Sequence, residues 1–181
     1  MTADRDASLV QRCLDGDGRA FESLVRVYEK VLFNVALRMT NDREDARDIT
    51  QTVFLKAWRH LGTYDRRHKF FSWIYRILMN ETLNALARRR PSEPLDERLV
   101  AREPWPDERA HELQVREQVH GALMTLTPED RELIVLRHLL HHGYEEIAEL
   151  KGVPARTVKS RLYTARQRLS HALRARGVHA S

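Results

Sequence analysis

Three groups of side chains in this 181-residue sequence could do chemistry, and each asks for a different partner. Asp45, Asp48 and Thr52 fall on one polar face at helical spacing, with Gln51 and Lys56 nearby. Paired carboxylates of this kind can serve acid/base or metal chemistry, or they can form a protein-docking or simply solvated face. No third ligand stands close to them in sequence, so docking or solvation is expected and catalysis is not. His138, His141 and His142 form the second group. A zinc site would need further ligands at defined spacing, and no Cys or His follows suitably; three histidines at a helix end, where cations are favoured, read as surface residues. The third group is basic. Arg76, Asn80 and Asn84 line one side of a helix whose end carries Arg88-Arg89-Arg90, while Arg156, Thr157, Lys159, Ser160 and Arg161 open another helix. Asn can pair with adenine edges and Arg with guanine or phosphate, so both sets fit nucleic acid.

Directly ahead of the Asn-bearing helix lies Tyr64-Asp65-Arg66-Arg67-His68-Lys69-Phe70-Phe71-Ser72-Trp73, a basic loop interleaved with rings. Unpaired bases stack on aromatics and their backbone follows positive charge, so this composition fits single-stranded DNA. The alternative is that Phe71, Trp73 and Tyr75 are core residues.

Helices must position these groups. Apolar residues make up 42% of the chain and recur at three- and four-residue spacing, glycines number only seven, and strand-like alternation is scarce, which predicts an all-α fold. Leu9, Val10, Cys13 and Leu14 form a short stripe that ends at Gly16-Asp17-Gly18. A long second helix follows from Ala20 to Met39, and Asn41-Asp42 supplies the N-cap of a third, with Glu44 and Asp45 in its first turn. The apolar face of that third helix is Ala46, Ile49, Val53 and Ala57, with Phe54 and Trp58 beside them. A fourth helix is predicted from about Phe70 into Arg90, with Phe70, Phe71, Ile74, Ile77, Leu78 and Ala85 inward; Glu81 falls on the same side and breaks the pattern.

Four of the six prolines then occur between residues 91 and 106, a density that forbids a continuous helix. Residues 91–109 therefore read as a flexible acidic linker between an N-terminal domain, 1–90, and a C-terminal one, 110–181. Beyond it, Thr127-Pro128-Glu129-Asp130 is a helix start and Gly143 a natural stop. In the helix-turn-helix stretch that follows, Ile147, Ala148, Val153, Val158 and Leu162 supply the small core and Gly152 the turn. Arg156, Thr157, Lys159, Ser160 and Arg161 stand near the start of its second helix, the end that meets bases in this motif, with Tyr163 and Arg166 further along.

Charge follows the same division. Residues 61–90 carry seven Lys or Arg against two acids, residues 91–150 six against fourteen, and residues 151–181 eight against none. Two basic segments separated by acid fit two nucleic-acid contacts on one chain. Cys13 is the only cysteine, so no internal disulfide can form, and it reads as a buried thiol. No apolar run reaches the length of a membrane span and no signal-peptide pattern opens the sequence, so a cytoplasmic protein is expected.

Taken together, these words resemble the extracytoplasmic-function group of bacterial sigma factors over residues 9–90 and 110–175. The resemblance rests on Asp45-Ala46-Arg47-Asp48-Ile49-Thr50-Gln51-Thr52-Val53-Phe54-Leu55-Lys56-Ala57-Trp58, on Phe71-Ser72-Trp73-Ile74-Tyr75-Arg76-Ile77 with Asn80, and on Gly152-Val153-Pro154 leading to Thr157-Val158-Lys159-Ser160-Arg161-Leu162. It implies an initiation factor with no catalytic site, cofactor or metal of its own. Core RNA polymerase would be met through Asp45, Asp48, Gln51, Phe54 and Lys56. The promoter −10 element would be opened and read, partly as a single strand, by Arg66, Arg67, Lys69, Phe70, Trp73, Arg76, Asn80, Asn84 and Arg88. The −35 element would be bound as a duplex by Arg156, Thr157, Lys159, Ser160, Arg161, Tyr163 and Arg166. An anti-sigma factor is a further implied partner. Two positions depart from the family pattern: Lys151 stands where an apolar residue is usual, which predicts a looser turn, and Arg156 where a small one is common.

Two other readings compete. A stand-alone helix-turn-helix regulator explains residues 110–181 but gives the docking helix and the aromatic loop no purpose. A metal-dependent enzyme would have to use the His138–His142 cluster.

Overall fold

The computed structural model describes residues 3–88 and 117–177. The chain divides into two compact units, Met1–Arg90 and Pro91–Ser181. Every regular element among the described residues is helical.

In the first unit, α1 (Ala3–Leu14), α2 (Gly18–Thr40), α3 (Arg43–His60) and α4 (Phe70–Arg88) pack around the long α2. The junctions follow from their polar residues. Asp17 caps α2 by accepting from the Arg19 and Ala20 amides. The Asn41-Asp42 pair divides its work: Asn41 ends α2 in the left-handed region at φ 57°, and Asp42 alone caps α3, accepting from Glu44 and Asp45 at 2.8 and 3.0 Å. Leu24, Tyr28, Leu32, Val35, Ala36 and Met39 of α2 are fully buried, as are Val53 and Ala57 of α3 and Ile74 and Leu78 of α4, the two helices that pack on α2. Asp6 of α1 enters this core because the Tyr28 hydroxyl donates to its carboxylate. Burial and that bond raise the Tyr28 pKa, which keeps the phenol protonated and donating.

The inward face of α4 is rotated from the predicted one. Tyr75, Met79 and Thr82 are buried with Ile74 and Leu78, whereas Phe71, Ile77 and Ala85 stay partly open. Glu81, the break in the pattern, is explained by a neighbouring helix: Lys56 of α3 pairs with its Oε1 at 2.6 Å. Arg89 and Arg90 and the proposed linker at 91–109 lie outside the described residues.

In the second unit, α5 is described from residue 117 to 124. Helix α6 (Pro128–Ile134) starts as expected, with Thr127 as N-cap and Pro128 in the first turn, and widens into a π turn over Val135–Leu139. Its stop differs from the sequence expectation. His141, at φ 56°, takes the left-handed position, and the His142 amide donates back to the Leu136 carbonyl. Gly143 is extended and caps the next helix, α7 (Tyr144–Lys151), its amide donating to Glu146 at 2.9 Å. Gly152 then turns the chain at φ 62°, a conformation that favours glycine, into α8 (Ala155–Ala175), whose Val158, Leu162 and Ala165 are fully buried.

Three basic side chains fix this unit from within. Arg131 is buried and donates to the carbonyls of Leu123, Met124 and Leu126, satisfying the end of α5 that has no helical partner. Arg168 of α8 pairs with Asp130 of α6. Lys151 pairs with Glu132, which is 2% exposed. The turn at Lys151 is thus tied to α6 rather than loosened, because the lysine found a buried carboxylate in place of an apolar contact.

Candidate polymerase and nucleic-acid interfaces

The outer face of α3 mixes charge with exposed hydrophobic surface. Asp48 and Gln51 are exposed and Asp45 half-buried. Phe54 points inward instead, 9% exposed and edge-on to Phe21 of α2 at 6.4 Å. Lys56 is engaged by Glu81. The exposed apolar area on this face comes from residues not assigned a partner role from sequence: Leu55 is 58% and Trp58 47% exposed, at the lip of a groove of about 810 Å³ between α2 and α3. Phe21 and Phe54 floor that groove, and Arg47, Gln51, Glu29 and Lys30 edge it. The available signal was Leu55 itself, an apolar residue off the Ala46/Ile49/Val53/Ala57 stripe.

The loop between α3 and α4 begins as a single 3-10 turn, Leu61–Thr63, and is then held by its own side chains. Arg67 grips Asp65 through two nitrogens, which holds the Asp65 carboxyl down at about 2. Arg66 donates to Gln11 of α1. The Tyr64 hydroxyl donates to the His68 carbonyl at 2.6 Å, and its ring meets Trp73 at 5.7 Å and Phe70 at 5.5 Å. Phe70 is 1% exposed, covered by Tyr28, Tyr64 and Trp73, so its ring buttresses the loop and offers no face to a base. Tyr64 and Trp73 are the partly open rings of this cluster, and Arg66, Arg67 and Lys69 are exposed around them.

Along α4, Arg76, Asn80, Asn84 and Arg88 are all exposed. Residues four apart drift by about 40° per step, so the four side chains form one shallow spiral of about 18 Å. Arg88 donates to the Asn84 carbonyl at 3.1 Å, which draws the end of the stripe together.

On α8 the outward set is Arg156, Lys159, Ser160, Arg161 and Tyr163, all exposed, with Thr157 and Arg166 half-buried beside them. No acid interrupts this helix. Lys159 lies over the Tyr144 ring at 5.4 Å, as Arg137 does at 5.1 Å, so α7 helps to place a basic residue of α8.

The histidine group does not converge. His138 contacts Arg166, and His142 faces Glu146 at 3.5 Å. Among the described residues no three His, Cys, Asp or Glu side chains meet as a metal requires. Cys13 is buried, and burial raises its thiol pKa, the opposite of an activated nucleophile. No helix among the described residues is long and apolar enough to cross a membrane.

Comparison with known proteins supplies the context for these surfaces. Residues 24–91 match the family described as Sigma-70 region 2, and residues 116–169 the one described as Sigma-70, region 4. The chain is 31% identical to the RNA polymerase sigma-H factor of Pseudomonas aeruginosa over 96% of each sequence. It is also 31% identical to the ECF RNA polymerase sigma-E factor of Escherichia coli K12, over 92% of this chain and 93% of the relative. Its fold matches CnrH, solved in complex with the cytosolic domain of CnrY, with a TM-score of 0.74 and 28% identity over 96% of this chain and 99% of the other.

Proposed function

The chain belongs to the extracytoplasmic-function group of RNA polymerase sigma factors, and from that premise we propose how its surfaces divide the work of initiation. As a member of that family it binds core RNA polymerase and promoter DNA and directs promoter-specific transcription initiation. The stand-alone regulator reading leaves the region 2 match unexplained and is set aside.

The polymerase docks on the outer face of α3. Asp48 and Gln51 supply charge and hydrogen bonds there, with Asp45 at the margin; Leu55 and Trp58 supply apolar area, Phe54 shapes the groove floor, and Lys56 braces α3 against α4 through Glu81. The −10 element is taken by the loop and by α4. Arg66, Arg67 and Lys69 follow the phosphates of the separated strand, Trp73 with Tyr64 offers stacking surface, and Asn80 and Asn84, flanked by Arg76 and Arg88, reach base edges. Phe70 supports this set from beneath. The −35 element is bound as duplex by the start of α8, with Arg156, Thr157, Ser160 and Arg161 toward the bases and Lys159, Tyr163 and Arg166 along the flank. These assignments correspond to domains at 1–90 and 110–181 joined by the acidic 91–109 segment. The site of action is the cytoplasm, where the polymerase works, and no residue is assigned a catalytic, metal or cofactor role. An anti-sigma factor competes for the same surfaces; the similar protein CnrH was solved in complex with the cytosolic domain of CnrY.

The observation that carries this reading is the unbroken exposed series Arg76, Asn80, Asn84 and Arg88 beside a ring-bearing basic loop. Competition with a primary sigma factor for purified core polymerase tests the docking half. The native chain displaces its competitor at stoichiometry, and Asp48→Arg loses displacement while keeping its helical circular dichroism. Normal competition by Asp48→Arg would overturn the docking surface.

A further inference from the structure

Cationic character in the second unit extends beyond α8 to the turn that joins α6 and α7. His138 is exposed on the π turn, and Nε–H of Arg166 on α8 donates to its Nε2 at 3.4 Å. Arg137 beside it donates to the His142 carbonyl at 2.8 Å and shares the Tyr144 ring with Lys159. Lys159 and Arg166 are seven residues apart, two helical turns, and so lie on one face of α8, with Tyr163 at 65% exposure between them. The histidine turn therefore borders the outward basic face of α8 and not its buried side.

The groups acting on the His138 ring are Arg166 from α8 and Arg137 and His141 from its own segment, and none is an acid. The carboxylate that this turn does engage, Glu146, accepts from the Gly143 amide and faces His142. A set of cations on two elements, with no acid among the described groups acting on the His138 ring, holds a positive potential that an anion relieves.

We propose that His138, with Arg137 and Arg166, forms a seat for a backbone phosphate of duplex DNA beside the bases read by α8. The proposal rests on the assignment of α8 to the −35 duplex and adds to it a contact from outside the reading helix. In the free protein, partial burial first, then Arg166, Arg137 and His141, hold the His138 pKa below its ordinary 6.5. A phosphate oxygen reverses that balance by favouring the imidazolium. Protonation at Nε2 ends the hydrogen bond from Arg166, so both groups become donors toward one oxygen. Binding then takes up a proton. Affinity rises as pH falls through the pKa of the bound state and levels off below that of the free state, which lies under the ordinary 6.5.

Phosphate contacts carry no sequence information, so a random-sequence duplex is a sufficient probe. Its binding to the full chain is measured by fluorescence anisotropy across a salt series at about pH 6 and about pH 8. One further neutralised phosphate steepens the slope of log K against log salt by about 0.9. The native chain shows this increment at the lower pH. His138→Gln abolishes it without changing the slope at the higher pH, and His141→Gln retains it. An increment that persists in His138→Gln, that moves to His141, or that is absent from the native chain overturns the seat. Arg161→Ala, measured on a duplex that carries the promoter −35 element, separates the two assignments: it weakens binding at both pH values if α8 faces the duplex, and no change at either would overturn the α8 assignment and the seat with it.

Discussion

Helices α4 and α8 both turn basic and amide or hydroxyl side chains outward, yet they are mounted in opposite ways. Helix α4 is embedded, with Ile74, Tyr75, Leu78, Met79 and Thr82 buried, and a cluster of aromatic rings stands at its start. Helix α8 buries only Val158, Leu162 and Ala165 along its 21 residues; Arg168 ties it to Asp130 of α6, and Lys151 at the end of α7, just ahead of the turn into α8, pairs with Glu132 of α6. The contrast matches two physical tasks. Separating strands replaces base stacking with stacking on protein, which needs rings on a well-packed base. Reading a closed duplex needs a slim helix, held at a fixed angle, whose first turns carry the contacts.

The comparison can be broken first at the ion pairs. Lys151→Ala removes the Lys151 charge from beside the buried Glu132, a loss of about 3–5 kcal/mol. The expected outcome is loss of hydrogen-exchange protection over residues 117–177 with residues 3–88 unaffected. The double variant Lys151→Met/Glu132→Leu recovers most of that stability, because matched apolar replacement of a buried pair is often neutral. Equal destabilisation of both units would show that the pair does not serve the second unit alone.

The next effect falls on recognition. Arg161→Ala lowers affinity of the holoenzyme for a promoter duplex by about 1–3 kcal/mol, read from equilibrium anisotropy. A fragment carrying only the −10 region is bound unchanged. A smaller effect tests the packing that supports the first unit: Asp42→Ala removes the α3 cap and costs about 1 kcal/mol in urea unfolding. It leaves the −35 contact untouched. The smallest concerns the loop. Arg67→Ala leaves the thermal midpoint in place and reduces the salt slope for single-stranded DNA by about 0.7, the contribution of one phosphate contact. An unchanged slope would remove Arg67 from the strand path.

Much of this was legible from residue types and spacing. The all-helical fold, the Asp42 and Thr127 caps, the Gly152 turn and the outward series on α4 all follow from local rules that a single helix obeys. The misses share one cause, that a helical wheel gives a direction but not a neighbour. Phe70 was expected as an open ring and is covered by Tyr28 of α2, while Phe54 turns edge-on to Phe21 of α2 and lines the groove rather than standing out from α3. Glu81 looked misplaced until Lys56 supplied its partner, and Lys151 looked loose until Glu132 did. The π turn at Val135–Leu139 shifts the following residues in a way no spacing rule marks, which is why His141, and not Gly143, closes that helix.

Permanganate footprinting of a promoter that the holoenzyme transcribes tests the division between the two helices most directly, with Asn80→Ala and Arg161→Ala compared at saturating holoenzyme. The predicted result is that Arg161→Ala reaches the native amplitude of thymine reactivity around −10 once occupancy is complete, while Asn80→Ala falls short at any concentration. Equal loss of amplitude in both variants, or loss in Arg161→Ala alone, would contradict the account.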